Sequence, residues 1–301
     1  MSLLVTGSIG IDTVETPAGR VENVLGGSSI YFSLAASLFT PVRLVGVVGD
    51  DFDMNLLTPL TRRNIDVSGV EVRKGSRTFR WHGRYHGAMN EAQTVDVKLN
   101  VLAEPAAAIP TQFADSRFVF LANTHPALQH GFATRMSGAD LIVADTMNLW
   151  IENEPEHLAR ALSVVHGLVL NEGEARLLTQ RFNLVSAARD ILQRGPRFVV
   201  IKKGEHGSLL VSHDDLFQMP AFPTENTVDP TGCGDTFAGA MLGYLAQQRS
   251  YDASTLRAAM ARGSVVASFV IESFSVDALI RVSAGEIEER LATLRDSLRF
   301  G

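Results

Sequence analysis

The segment 227–247, TVDPTGCGDTFAGAMLGYLAQ, gathers residues whose types and spacing suit the handling of a phosphate. Asp229-Pro230-Thr231-Gly232 is turn chemistry, and from Cys233 the apolar spacing becomes helical. Phe237, Ala240, Met241, Tyr244 and Leu245 share one face, while Gly239 and Gly243 permit close packing against a neighbour. Gly232-Cys233-Gly234 therefore falls at a helix N-terminus, where backbone N–H groups have no intrahelical acceptor. With the positive end of the helix dipole those donors make an anion site, and glycines let a phosphate approach the backbone. Asp235 stands in the first turn beside it. Its carboxylate either caps the helix or accepts a proton from a hydroxyl attacking a bound phosphoryl group.

Other nucleotide motifs fail. No G-x-x-x-x-G-K-[ST] occurs, and the dinucleotide spacing G-x-G-x-x-G breaks because Phe237 fills its third glycine position. Asn171 and Glu174 open another helical stretch, where acids either complement the dipole or serve a ligand. Asp12 follows the first apolar run, where it either caps a turn or lies at the mouth used by α/β ligands. Asn148, just beyond Asp145, is placed to see substrate, and Trp150 reads as packing. The eight histidines show no metal-ligand spacing, and the single cysteine excludes an internal disulfide or a Cys-cluster metal site.

The elements that must hold these groups are legible from the alternation of short apolar runs with amphipathic stretches. Leu3–Thr6, Val42–Val48, Phe118–Leu121, Leu141–Ala144, Leu168–Leu170 and Phe198–Ile201 lack a polar alternation, as expected of parallel strands buried on both faces. Helices are expected over Ser29–Phe39, Pro155–Val165, Val185–Gln193 and Ser254–Ile271. The 301 residues, 46% hydrophobic and 20% charged, show no repeat or linker. The sequence is read as one doubly wound α/β domain over 1–301 with a mainly parallel sheet. Charge is balanced, 27 basic against 33 acidic residues, with no block of one sign. Nucleic acid and membrane partners are therefore not expected. Absence of a basic leader and of a long apolar run points to a cytoplasmic home.

One region departs from this pattern. Phe79, Trp81, Gly83 and Tyr85 alternate with Arg80, His82, Arg84 and His86, and Val95, Val97, Leu99 and Val101 alternate with polar residues in turn. Two such strands form either an edge hairpin or a small sheet outside the main one.

DPTGCGDTFAGA resembles the C-terminal signature D-T-x-G-A-G-D-x-F of the ribokinase-like, or PfkB, family of small-molecule kinases. Gly7 and Asp12 in GSIGID, Gly26-Gly27 in LGGSSIYF, VVGD at 47–50, N-x-x-E at Asn171 and Glu174, and Lys203-Gly204 with Gly207 in IKKGEHG follow the family order. The resemblance implies an ATP- and Mg²⁺-dependent transfer to a CH₂OH group, with Asp235 as base and the amides of Gly232, Cys233 and Gly234 as anion hole. It implies that Asp12, Gly26, Gly27, Tyr31, Arg80 and Asn148 meet the substrate. Asn171, Lys203, Gly204, Gly207 and Thr231 would meet ATP, and Glu174 would hold magnesium through water. Asp229 would be a ligand of a monovalent cation, K⁺, in a turn that Pro230 rigidifies. Residues 72–101, with part of 12–25, would form a β-lid that also serves as a dimer clasp.

The substrate expected is a small sugar, with a nucleoside or cyclitol as the second reading and a non-catalytic sensor as the third. Tyr31 replaces the asparagine with which many sugar kinases of the family contact sugar hydroxyls. Cys233 replaces an alanine; its backbone N–H is expected to do the work, and the helix end to lower the pKa of its thiol. An aromatic inward face of the lid would favour nucleosides, a basic one acidic or phosphorylated sugars.

Overall fold

A computed structural model describes residues 2–299. Its strands are β1 (Leu3–Thr6), β2 (Gly10–Thr16), β3 (Gly19–Gly26), β4 (Val42–Gly49), β5 (Ile65–Arg73), β6 (Phe79–Tyr85), β7 (Ala92–Lys98), β8 (Phe118–Leu121), β9 (Leu141–Asp145), β10 (Gly167–Asn171), β11 (Phe198–Lys202), β12 (Ser208–Ser212) and β13 (Leu216–Met219). Nine of them form one sheet in the order β13-β12-β11-β10-β9-β8-β1-β4-β5. It is parallel from β11 to β5, with β12 and β13 added antiparallel at one edge. The order reverses between β1 and β8, the place where open α/β sheets receive ligands.

The non-alternating apolar runs are explained by two cores, one on each face of this sheet. Leu3, Val5, Val143, Val169 and Val200 pack with the helices Ser28–Ala36, Cys233–Gln248 and Ala253–Val270. Leu4, Ile142, Leu168, Val199 and Ile201 face the helices Pro126–Arg135, Pro155–Leu162 and Leu184–Leu192. The expected strands and helices are all present, with ends displaced by a few residues as strand and helix ends commonly are.

Helix Cys233–Gln248 lies unusually close to helix Ser28–Ala36. A Cβ on Gly239 would meet the carbonyl oxygen of Phe32 at 2.4 Å, and one on Gly243 that of Ala36 at 2.8 Å. Phe32 stacks in turn on Phe120 of β8, ring centroids 4.2 Å apart. This packing brings the N-termini of both helices together at the sheet's carboxyl edge.

The second sheet has four strands, β3-β2-β6-β7, with a parallel β2–β6 pair between two antiparallel ones. Residues 10–26 thus supply half of the lid. The second alternating strand ends sooner than expected: β7 stops at Lys98, and Asn100–Ala103 is a 3₁₀ turn that buries Val101. β7 is exposed along its whole length, Val95 and Val97 included. No helix among the described residues is long and apolar enough to cross a membrane.

Candidate active site

Side-chain alternation places the polar ends of three adjacent strands on one side. Asp145 follows Leu141 and Val143, Asn171 follows Val169, and Lys202 follows Phe198 and Val200, all on the face covered by helix Cys233–Gln248. The helix begins at Gly232, whose φ of 76° is left-handed and where a Cβ would strike the Tyr31 ring at 2.3 Å. Glycine is required there on both counts. The amide of Cys233 donates to the carbonyl of Pro230 at 3.1 Å, whereas no acceptor among the described residues takes the amides of Gly232 and Gly234. Of the three amides expected to line an anion hole, those of Gly232 and Gly234 are thus the two without an acceptor among the described residues.

Asp235 stands in the first turn of that helix. Burial, reinforced by Asp145 and opposed by Lys202, pushes its carboxyl up to about 7. Glu174 is also raised to about 7, by burial and then by Asp145. Asn171 and Glu174 form a reciprocal cap: Asn171 Oδ1 accepts the Glu174 amide at 2.8 Å, and Glu174 Oε2 accepts the Asn171 amide at 2.7 Å. Lys202 Nζ lies 3.5 Å from Asp145 Oδ2. Three carboxylates and one ammonium thus share a buried mouth, an excess of negative charge built from hard oxygen donors.

On the other side of Gly232, Asp12 lies over the glycine pair. A Cβ on Gly26 would sit 1.8 Å from its Oδ2, and one on Gly27, at φ 100°, would strike the carbonyl of Ser8 at 2.4 Å. The backbone of Gly27 favours the ionised form of Asp12. Its Oδ1 is buried with no partner among the described residues. Burial, then Asp229, raises this carboxyl to about 7. An unpartnered buried carboxylate oxygen is costly and leaves an acceptor open.

The PfkB family model, described as pfkB family carbohydrate kinase, matches residues 3–281. The chain belongs to that family. The kinase is 31% identical over 249 residues to the cytidine kinase of Thermococcus kodakarensis, covering 80% of this chain and 87% of the relative. Among solved structures, the Methanocaldococcus jannaschii nucleoside kinase superposes with a TM-score of 0.79 at 18% identity, covering 97% of this chain and 98% of that one. The Burkholderia thailandensis nucleoside kinase in complex with inosine gives 0.78 at 19%, over 97% and 98% of the two chains. These likenesses establish the ribokinase-like fold and an ATP-dependent kinase.

The lid of the kinase turns its aromatic face inward. Asp12 is in register with Trp81 and Val14 with Gly83, so these residues share the face that looks onto the glycine pair. Trp81 lies over Gly83, where a Cβ would meet its ring at 1.9 Å, and its Nε1 donates to Thr94 Oγ1 at 3.2 Å. Tyr85 reaches the main domain, accepting a hydrogen bond from Thr231 Oγ1 at 3.3 Å. The basic residues face away: His82 and Arg84 hold Glu15, at 2.8 and 2.6 Å, and Arg80 donates to Asn23 Oδ1 at 3.0 Å. Arg80 is accordingly set apart from the residues around Asp12.

Thr231 binds the lid, then, and Asp229 is fully buried with Oδ1 accepting the Thr231 amide at 2.8 Å and Oδ2 the Ser275 amide at 3.3 Å. Lys203 and Gly207 close the β11–β12 turn through a 2.7 Å backbone bond. Gly204 in that turn is met by Asn90 from the lid's β6–β7 loop, whose Nδ2 donates to Glu205 Oε1 at 3.1 Å. Asn148 is exposed at the start of the helix Asn148–Asn153. Trp150 packs on His125 and donates to Asn123 Oδ1 at 2.8 Å. The Cys233 thiol is not lowered: burial and the neighbouring Asp229 and Asp235 raise it.

Two features were missed in the sequence. Lys202, the residue before the expected Lys203, reaches the site; counting by two from Val200 along β11 would have found it. His125, Glu154 and His157 also converge. Glu154 sits between His157 Nδ1 at 2.8 Å and His125 Nε2 at 3.4 Å, while His125 Nδ1 accepts the Ala127 amide. A neutral imidazole has one lone pair, and the cap uses it, so this cluster is an internal clasp.

Proposed function

We propose that the protein is an ATP-dependent nucleoside kinase that phosphorylates a sugar CH₂OH group. The observation that carries this reading is the orientation of the lid, with Trp81 and Tyr85 toward Asp12 and the basic residues neutralised on the far side. A planar base gains from aromatic faces in a way a free sugar does not. Tyr31 supports it further, since its ring fills the space beside Gly232 where an amide side chain would contact sugar hydroxyls. The relative named as a cytidine kinase points the same way.

In this reading Asp12 accepts hydrogen bonds from the ribose through its unpartnered Oδ1, and Gly26 and Gly27 let the ribose lie against the backbone. The attacking hydroxyl gives its proton to Asp235. The amides of Gly232 and Gly234 and the helix dipole offset charge on the transferring phosphoryl group. The hard oxygen donors and excess negative charge at Asp145, Glu174 and Asp235 fit a hydrated magnesium ion, with Glu174 Oε1 outside the capping bonds. Magnesium would offset phosphate charge there. Lid contacts at Thr231 and Gly204 exclude water from the reacting groups.

The test is ATP-dependent turnover across cytidine, other nucleosides, free ribose, fructose and inositols. A nucleoside is expected to give the highest kcat/KM. A free sugar or cyclitol turned over more efficiently than every nucleoside would overturn the assignment.

A further inference from the structure

The chemistry above leaves one buried ionic group unused. Lys202 is the last residue of β11, its side chain 18% exposed. A Cβ on Gly234 would lie 2.9 Å from Nζ, 3.6 Å from Cε and 3.7 Å from Cδ. The lysine stem therefore runs along the first turn of helix Cys233–Gln248, and its charge stands at the edge of the Gly232–Gly234 helix N-terminus. Gly234 has an ordinary negative φ, so its backbone does not demand glycine. A methyl group there would instead press on the flexible end of the Lys202 side chain, so glycine leaves that ammonium room. Alanine is the better helix former, so glycine in a helix that makes room for a charge is a local cost that needs a purpose.

An ion pair between Asp145 and Lys202 alone could be purely structural. Several features here go beyond that. The ammonium is not confined to Asp145, since Glu174 and Asp235 also act on it, and together they keep it charged despite burial. It also adjoins the backbone where the transferring group must sit. Its carrier is the end of a strand paired on both sides, Lys202 standing opposite Asn171 of β10 and Ser208 of β12.

We propose that Lys202 is a catalytic residue of the transfer, its ammonium contacting an oxygen of the terminal phosphate of ATP at the Gly232–Gly234 helix N-terminus. The proposal rests on the reading of that terminus as the phosphoryl site. The hydroxyl oxygen of the acceptor forms its bond to the terminal phosphorus and its proton goes to Asp235. The bond from that phosphorus to the bridging oxygen breaks, and its electron pair leaves on ADP. Lys202 keeps its proton throughout and offsets charge on the non-bridging oxygens, while Asp145 holds the ammonium in position.

The test compares Lys202→Met, Lys202→Arg and Asp235→Asn with the wild-type protein. For Lys202→Met, kcat is expected to fall by roughly 10²–10³-fold while the nucleoside KM and the affinity for ADP stay within about threefold. ADP lacks the phosphate that Lys202 contacts. Lys202→Arg is expected to recover part of the loss. A kcat for Lys202→Met within about tenfold of wild type would overturn the proposal. So would a loss accompanied by an equal loss of ADP affinity and a lowered Tm, which is the signature of a structural ion pair. Should Lys202→Met fail to fold, Lys202→Gln, which keeps a polar side chain beside Asp145, is read by the same criteria; a kcat within about tenfold of wild type would equally overturn the proposal. Wild-type turnover in Asp235→Asn would discard the base assignment instead, whatever Lys202→Met does.

Discussion

Asp235 shows how one residue's surroundings set its chemistry. Its carboxyl, raised to about 7 chiefly by burial, would be an unreactive cap if protonated and a base only when ionised. The expected kcat therefore falls as pH drops through about 7 and levels off above it. Asp235→Asn is expected to lose roughly 10²–10⁴-fold in kcat, with ATP affinity nearly unchanged and the acid limb gone. A retained acid limb in that variant would assign the titration to another group. The place of Asp235 was legible in the sequence because helix periodicity fixes where the first turn begins. Two neighbouring details were not. The Cys233 amide is consumed by a turn bond to Pro230, and its thiol is raised by buried acids, both effects of tertiary packing that a helix pattern cannot contain.

At the scale of elements, periodicity carried the parallel strands and the close approach of two helices through Gly239 and Gly243. Gly239→Ala would press a methyl group against the Phe32 carbonyl. It is expected to cost about 1–3 kcal/mol of stability, measured by denaturant unfolding, despite the gain in helix propensity. An unchanged midpoint would mean that the helices separate freely. The lid was legible only in part: β6 shows strict alternation, but part of 12–25 entered it only through the family resemblance, and the parallel β2–β6 pairing joins segments far apart in the chain. Which face turned inward depended on that pairing, because Glu15 of β2 draws His82 and Arg84 outward. Trp81→Ala is expected to raise the nucleoside KM about tenfold or more, leaving the KM for ATP within a small factor. Equal rises in both would show that the tryptophan holds the lid together rather than the base.

For the molecule as a whole, the site sets function against stability. Asp12, Glu174 and Asp235 are each raised to about 7, so the folded chain holds protons that the unfolded chain releases near pH 4. Between those values the folded state binds more protons, and the contribution of these acids to stability falls as pH rises. Asp12 isolates the effect, being fully enclosed, coupled to Asp229 and left with an unpartnered oxygen. Asp12→Asn removes the buried charge while keeping the shape. It is expected to raise Tm by a few degrees at pH 8, a gain on the order of 2 kcal/mol, and by much less at pH 4.5. Nucleoside should stabilise the wild-type protein strongly, because ribose hydroxyls pair with the ionised carboxylate, and should stabilise Asp12→Asn little. A variant less stable than wild type at pH 8 would mean that the Gly27 backbone and its neighbours hold the charge at no cost. A variant still stabilised by nucleoside would place the ribose away from Asp12, and with it away from the glycine pair and the aromatic face above them.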